Sequence, residues 1–77
     1  MIVVYAIKSR KRNYIYVGMT SNLDDRIERH NKGYEKTTRP YRPYSLIYTE
    51  EFPDRLKARE KEKYLKSGIG KEFLKSL

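Results

Sequence analysis

Apolar positions crowd the start of the chain. Ile2, Val3, Val4, Tyr5 and Ile7 are β-branched or aromatic, a composition that reads as a buried strand over residues 2–8. A polar, turn-like link from Lys8 to Asn13 follows. Tyr14 to Met19 repeats the strand composition until Gly18 and the polar Thr20-Ser21-Asn22 end it. Two strands with so short a link are expected to pair as an antiparallel hairpin.

The period then changes. Leu23 and Ile27 lie four apart, and so do Arg26 and His30, which gives a helix running to about Asn31 with an apolar edge beside a polar one. Ser21 or Asn22 is its expected N-cap, Asp24 and Asp25 suit its positive end, and Gly33 is its expected stop. Residues 34–44 interleave proline, arginine and tyrosine, the mark of an irregular loop. Leu46 to Glu51 reads as a third strand. Phe52-Pro53-Asp54 opens a second helix with proline in its first turn, running from about Asp54 to Lys66 with Ala58, Glu62 and Leu65 on one stripe. Gly70 separates a last short helix, Lys71 to Leu77, whose apolar anchors are Phe73, Leu74 and Leu77. The predicted order is β-β-α-β-α-α: an α+β fold with a small three-stranded, mainly antiparallel sheet flanked by helices.

Length limits this fold to one small domain, residues 1–77, with room for a shallow site on an open face rather than a deep pocket. The chain has no cysteine, which excludes disulfides and thiolate metal sites. Its longest apolar run is too short to span a membrane and lacks the features of a signal peptide, so a soluble cytoplasmic protein is expected. Charge changes the picture most. Lysine and arginine number 18 against 10 acidic residues, a net charge of +8, and eight tyrosines lie among them. Such a surface attracts polyanions and offers rings that stack on bases, so nucleic acid is the expected partner. Lys8, Arg10, Lys11 and Arg12 in the link, with Arg39, Tyr41 and Arg42 in the loop, are the candidate contacts.

Three groups could carry chemistry. Arg26 offers a fixed fork of donors to a phosphate, and His30, the one histidine, can exchange a proton near neutral pH. A lone histidine rules out a multi-histidine metal cage. Glu62 falls on the helix stripe expected to look toward the sheet, whereas Glu60 points to solvent, so Glu62 is the better candidate ligand for one hard cation. Tyr5 and Tyr16 lie on adjacent strands and can share a face.

At these residues the chain resembles the GIY-YIG nuclease superfamily over nearly its full length. It looks most like short stand-alone members, which are similar to the N-terminal incision domain of the excinuclease C subunit. Val3-Val4-Tyr5 stands in the place of the first motif and Tyr16-Val17-Gly18 in that of the second, with ten residues between the tyrosines. The segment Leu23 to Gly33 looks like the family's Leu-x-x-Arg-x-x-x-His-Asn-x-Gly helix. Thr38-Arg39 followed by Pro43 to Tyr48 resembles the stretch into the third strand, and Ala58 to Gly68 resembles the helix bearing the metal carboxylate.

The resemblance implies an endonuclease that hydrolyses DNA phosphodiesters with one Mg²⁺ or Mn²⁺ per site and weak sequence specificity. It also implies a place in DNA repair or recombination and a protein partner for targeting. Tyr5 would act as or orient the general base, Tyr16 would assist, Arg26 would stabilise the phosphate charge, His30 stands where some members use a histidine, and Glu62 would hold the metal. The alternative is a nucleic-acid-binding module that keeps the fold with little activity. Two departures from the family pattern bear on this: valines replace the first motif's glycine and isoleucine, and no asparagine follows Glu62.

Overall fold

The computed structural model describes residues 1–77. Its elements are β1 (Ile2–Ser9), β2 (Ile15–Thr20), α1 (Leu23–Lys32), a 3-10 turn (Arg39–Tyr41), β3 (Tyr44–Phe52), α2 (Arg55–Lys66) and α3 (Gly68–Lys75). This is the expected β-β-α-β-α-α order. All pairings are antiparallel, and the strand order β2-β1-β3 puts β1 in the centre. No helix is long and apolar enough to cross a membrane.

Successive side chains of a strand point to opposite faces, so β1 feeds two cores. Ile2, Val4 and Ala6 pack with Val17, Ala58, Leu65 and Leu74, closing the α2–α3 side. Tyr5 and Ile7 pack with Tyr44 on the α1 side, where Tyr14, Tyr16, Leu23, Ile27 and Tyr41 lean against them. Strand β3 also serves both cores, but by a different device. Ala6 lies opposite Tyr48 and Ile7 opposite Leu46, which leaves Ile47 as an extra residue. This bulge changes the phase of the strand. Tyr44 therefore joins the α1-side core, while Tyr48 and Phe52 join the other.

The ends of α1 fall where expected, and those of α2 and α3 differ in instructive places. Asn22, not Ser21, caps α1, its side chain accepting the Asp25 N–H at 3.1 Å. Gly33 ends that helix at φ 82°, a left-handed conformation that glycine adopts without strain. Pro53 lies outside the first turn of α2, because the capping residue is Asp54, which accepts the Lys57 N–H at 2.9 Å. The last helix begins at Gly68 rather than Lys71. Ser67 ends α2 and caps α3, so the break falls there and Gly70 lies buried inside the helix. Of the three expected anchors only Leu74 is buried; Phe73 and Leu77 are exposed.

Candidate active site

Tyr5 is the centre of the α1-side core. Its β2 partner is Gly18, and a Cβ there would stand 2.7 Å from the Tyr5 Oη and 2.9 Å from its Cζ. The second motif's glycine therefore makes room for the first motif's ring. Tyr5 Oη lies 2.8 Å from His30 Nε2, and His30 Nδ1 lies 2.8 Å from Thr38 Oγ1. His30 Nε2 is the one hydrogen-bond partner of the tyrosine hydroxyl, and which of the two donates depends on the tautomer of the ring. All three side chains are shielded: Tyr5 and His30 are 1% exposed and Thr38 0%. The Tyr16 ring centroid is 5.0 Å from that of His30 and 6.4 Å from that of Tyr5.

Arg26 and His30 do not share one open edge. The Arg26 side chain is 38% exposed, whereas His30 turns inward among Tyr5, Tyr16 and Tyr44. A four-residue spacing overshoots a full turn by about 40°, and tertiary bonds decide which of the two faces the sheet. Arg26 Nη1 is 3.6 Å from Glu35 Oε1, and Arg29 Nε is 3.2 Å from the same oxygen.

Burial dominates the electrostatics. It pushes the Tyr5 hydroxyl above its ordinary 10.0, and Tyr16 adds to this; Arg26 pulls the other way, opposed by Glu35 and Glu62. A nearby cation therefore does not make Tyr5 a phenolate in the free protein. Burial likewise lowers His30 from its ordinary 6.5; Glu35 opposes this, and Arg26 and Arg29 reinforce it. His30 is neutral at pH 7. Its protonation is easier in the unfolded chain, so its contribution to stability is whole above pH 6.5 and is lost as pH falls through the lower folded-state value. A melting series from pH 7.5 to 4.5 is expected to show this loss in the wild type and a flatter profile in His30→Gln.

Glu62 lies on α2 with 17% of its side chain exposed, 3.6 Å from Lys66 Nζ. Its charge is felt at Tyr5. No group of three or more His, Cys, Asp or Glu side chains could hold a metal. One sheltered carboxylate fits Mg²⁺, which keeps most of its waters, and does not fit a caged ion. The two surface concavities lie elsewhere. One, of about 450 Å³, is lined by Phe52, Lys57, Glu60, Lys61 and Tyr64; the other, of about 190 Å³, by Asn13, Tyr14, Ile15, Lys71 and Lys75. Tyr5 and His30 thus lie beneath the surface rather than on the open face expected from the small size of the chain, while Arg26 and Glu62 beside them are partly exposed.

A profile of the GIY-YIG catalytic domain matches residues 1–73. The chain belongs to the GIY-YIG family. It is 39% identical over 67 residues to a UPF0213 protein of Clostridium perfringens, covering 86% of this chain and 71% of that one. A UPF0213 protein of Staphylococcus haemolyticus is 36% identical over 75 residues, covering 96% of this chain and 90% of its own length. Among solved structures, the solution NMR structure of a UPF0213 protein from Bacillus halodurans superposes with a TM-score of 0.58. That structure is 34% identical, with 99% of this chain and 84% of that one covered.

In this GIY-YIG domain the expected nucleic-acid contacts fall into two sets. Lys8, Lys11 and Arg12 are exposed at the end of the β1–β2 hairpin. Arg10, Arg39 and Arg42 have partners within the chain. Arg10 Nε donates to Ser45 Oγ at 2.8 Å, Arg39 Nε to the Gly33 carbonyl at 2.7 Å, and Arg42 Nη1 to the Lys32 carbonyl at 2.9 Å. The last two close the C-terminus of α1, satisfying carbonyls the helix itself leaves open. Tyr41 stacks on Tyr14 at 4.3 Å. Sequence reasoning missed Thr38, Tyr44 and Glu35. Glu35 carries one visible signal, as the only carboxylate between Arg29 and Tyr48. Thr38 and Tyr44 carry none, since a loop threonine and one tyrosine among eight do not announce their burial.

Proposed function

We propose that this chain is a divalent-metal-dependent endonuclease acting on DNA in the cytoplasm, in repair or recombination, with weak sequence specificity. GIY-YIG membership supports a nuclease-type domain. The observation that carries the finer reading is the Tyr5 hydroxyl 2.8 Å from Nε2 of the buried His30.

A buried tyrosine is a poor phenolate, but it can relay a proton. As a water attacks phosphorus, its proton passes to Tyr5 Oη while the Tyr5 proton passes to His30 Nε2. The phosphorus–oxygen bond to the 3′ oxygen breaks, that oxygen takes a proton from solvent, and the imidazolium later passes its proton back to Tyr5 Oη as Tyr5 releases one to solvent. The products are a 5′-phosphate and a 3′-hydroxyl. Arg26 swings from Glu35 to the phosphate and offsets the charge that grows on its oxygens. Tyr16 lines the approach beside both members of the relay. Glu62 would hold Mg²⁺ or Mn²⁺, which when bound polarises a phosphate oxygen. Lys8, Lys11 and Arg12 attract the backbone without reading bases.

One observation favours the alternative, a nucleic-acid-binding module with little activity: Tyr5 is 1% exposed, so substrate reaches it only if Tyr16 or α1 yields. Cleavage of branched and single-stranded DNA, with RNA in parallel, separates the two readings. Wild type is expected to cut with Mg²⁺ or Mn²⁺ and to stop with EDTA or on Glu62→Ala. Equal binding by both proteins with no cutting by either would establish the module instead.

A further inference from the structure

Thr38 has no place in the expected site, yet it is wholly buried and held from several directions. Its N–H donates to the Glu35 carbonyl at 3.2 Å, and its own carbonyl accepts the buried Tyr44 hydroxyl at 2.9 Å and the Tyr41 N–H at 3.2 Å. That clamp fixes where Oγ1 stands. Oγ1 lies 2.8 Å from His30 Nδ1 and 3.4 Å from the Glu35 carbonyl oxygen.

A hydroxyl has one proton and an imidazole has two distinct nitrogens, so the direction of each bond can be worked out. The Glu35 carbonyl can only accept, and at 3.4 Å it offers the Thr38 proton a long, weak alternative to Nδ1. With the proton turned there, the Thr38 oxygen is free to accept from Nδ1–H, and Nε2 keeps its lone pair. The opposite arrangement puts the proton on Nε2 and leaves the buried Tyr5 O–H with no acceptor, since His30 is its one partner. A buried donor without an acceptor gives up its hydration and gains nothing in return. The Tyr5 end of the chain of bonds therefore selects the Nδ1–H tautomer, and the Thr38 end supplies the acceptor that Nδ1–H needs.

We propose that Thr38 is a positioning residue that locks His30 in the Nδ1–H tautomer, holding the Nε2 lone pair on the Tyr5 hydroxyl. Its catalytic consequence rests on the endonuclease reading above; the tautomer lock itself does not. Without the threonine hydroxyl, Nδ1 loses its acceptor, and the ring is free to move its proton to Nε2. His30 would then donate to Tyr5 instead of accepting from it, and the relay would run against its own proton. The charged and titratable groups around the ring are Tyr5 on β1, Tyr16 on β2, Tyr44 on β3, and Arg26, Arg29 and Glu35 beside it.

The chain has one histidine, so a ¹⁵N-imidazole NMR spectrum contains a single ring. At pH 8 the wild type is expected to show a protonated, pyrrole-type Nδ1 and an unprotonated Nε2. Thr38→Val should shift the population toward Nε2–H, and Thr38→Ser should restore the wild-type spectrum. If the protein cuts DNA, Thr38→Val should lower kcat on the order of 10- to 100-fold with KM kept, part of the ~10²–10⁴-fold due to a positioned proton acceptor, and Thr38→Ser should recover it. A wild-type ring protonated on Nε2 overturns the proposal without any variant. So does a folded Thr38→Val that keeps Nδ1–H. Absence of cutting by the wild type would remove the endonuclease reading, while the ring spectrum would still decide the role of Thr38.

Discussion

Gly70→Ala is expected to destabilise the protein by about 1–2 kcal/mol, while Gly68→Ala, two residues away on the same helix, stabilises it. A Cβ on Gly70 would stand 2.1 Å from the Tyr64 carbonyl oxygen, 2.5 Å from Leu65 Cα and 2.8 Å from Leu65 C. All three are backbone atoms of α2, which no rotamer change can move. Overpacking of this kind costs about 1–3 kcal/mol and sometimes more, against which alanine recovers up to about 1 kcal/mol of helix propensity. A Cβ on Gly68 meets nothing within 4 Å. There the propensity gain acts alone and should contribute about 0.4–1 kcal/mol. For a domain of this size each kcal/mol moves the melting temperature by roughly 4–8 °C, so paired thermal melts read the two signs directly. Equal shifts in the same direction would mean that α3 does not lie against α2 as described.

Tyr5→Phe should lower the rate of DNA cleavage by ~10²–10⁴-fold with little change in DNA affinity. The ring still fills its place under Gly18, so the core survives. What vanishes is the hydroxyl, and with it the donor to His30 Nε2. A buried nitrogen left without its partner costs about 1–3 kcal/mol, so the variant should also melt at a lower temperature. The two readouts are separable, because cleavage is measured well below the melting point. A folded Tyr5→Phe that cuts at the wild-type rate would remove the relay and with it the catalytic role of Tyr5.

The element order was legible because the chain changes period cleanly, from β-branched runs at its start to four-residue spacings after Asn22. Glu62 could be preferred over Glu60 for the same kind of reason: a helical stripe shared with Ala58 and Leu65 is visible in a sequence, and the latter two are buried. The family resemblance was legible from motifs in order at the right spacing, and the profile match bears it out. What could not be read depends on tertiary contact. Spacing alone cannot say that His30 turns inward while Arg26 does not. Nor can a run of arginines reveal that Arg39 and Arg42 are turned to helix carbonyls, or that Gly70 is a point of contact rather than a break.

The extra residue at Ile47 has a consequence for how this chain can vary. Removing the whole residue keeps the phase, because Ala6 would still face Tyr48 and Ile7 would still face Leu46, now as successive pairs of a regular ladder. What the strand cannot do is keep its length and lose the bulge. Tyr44 and Tyr48 would then fall on one face, and one of the two cores would go without its tyrosine. A one-residue deletion between Leu46 and Tyr48 is therefore the change that trades the bulge for an unbroken strand, and what it gives up is the packing of Ile47.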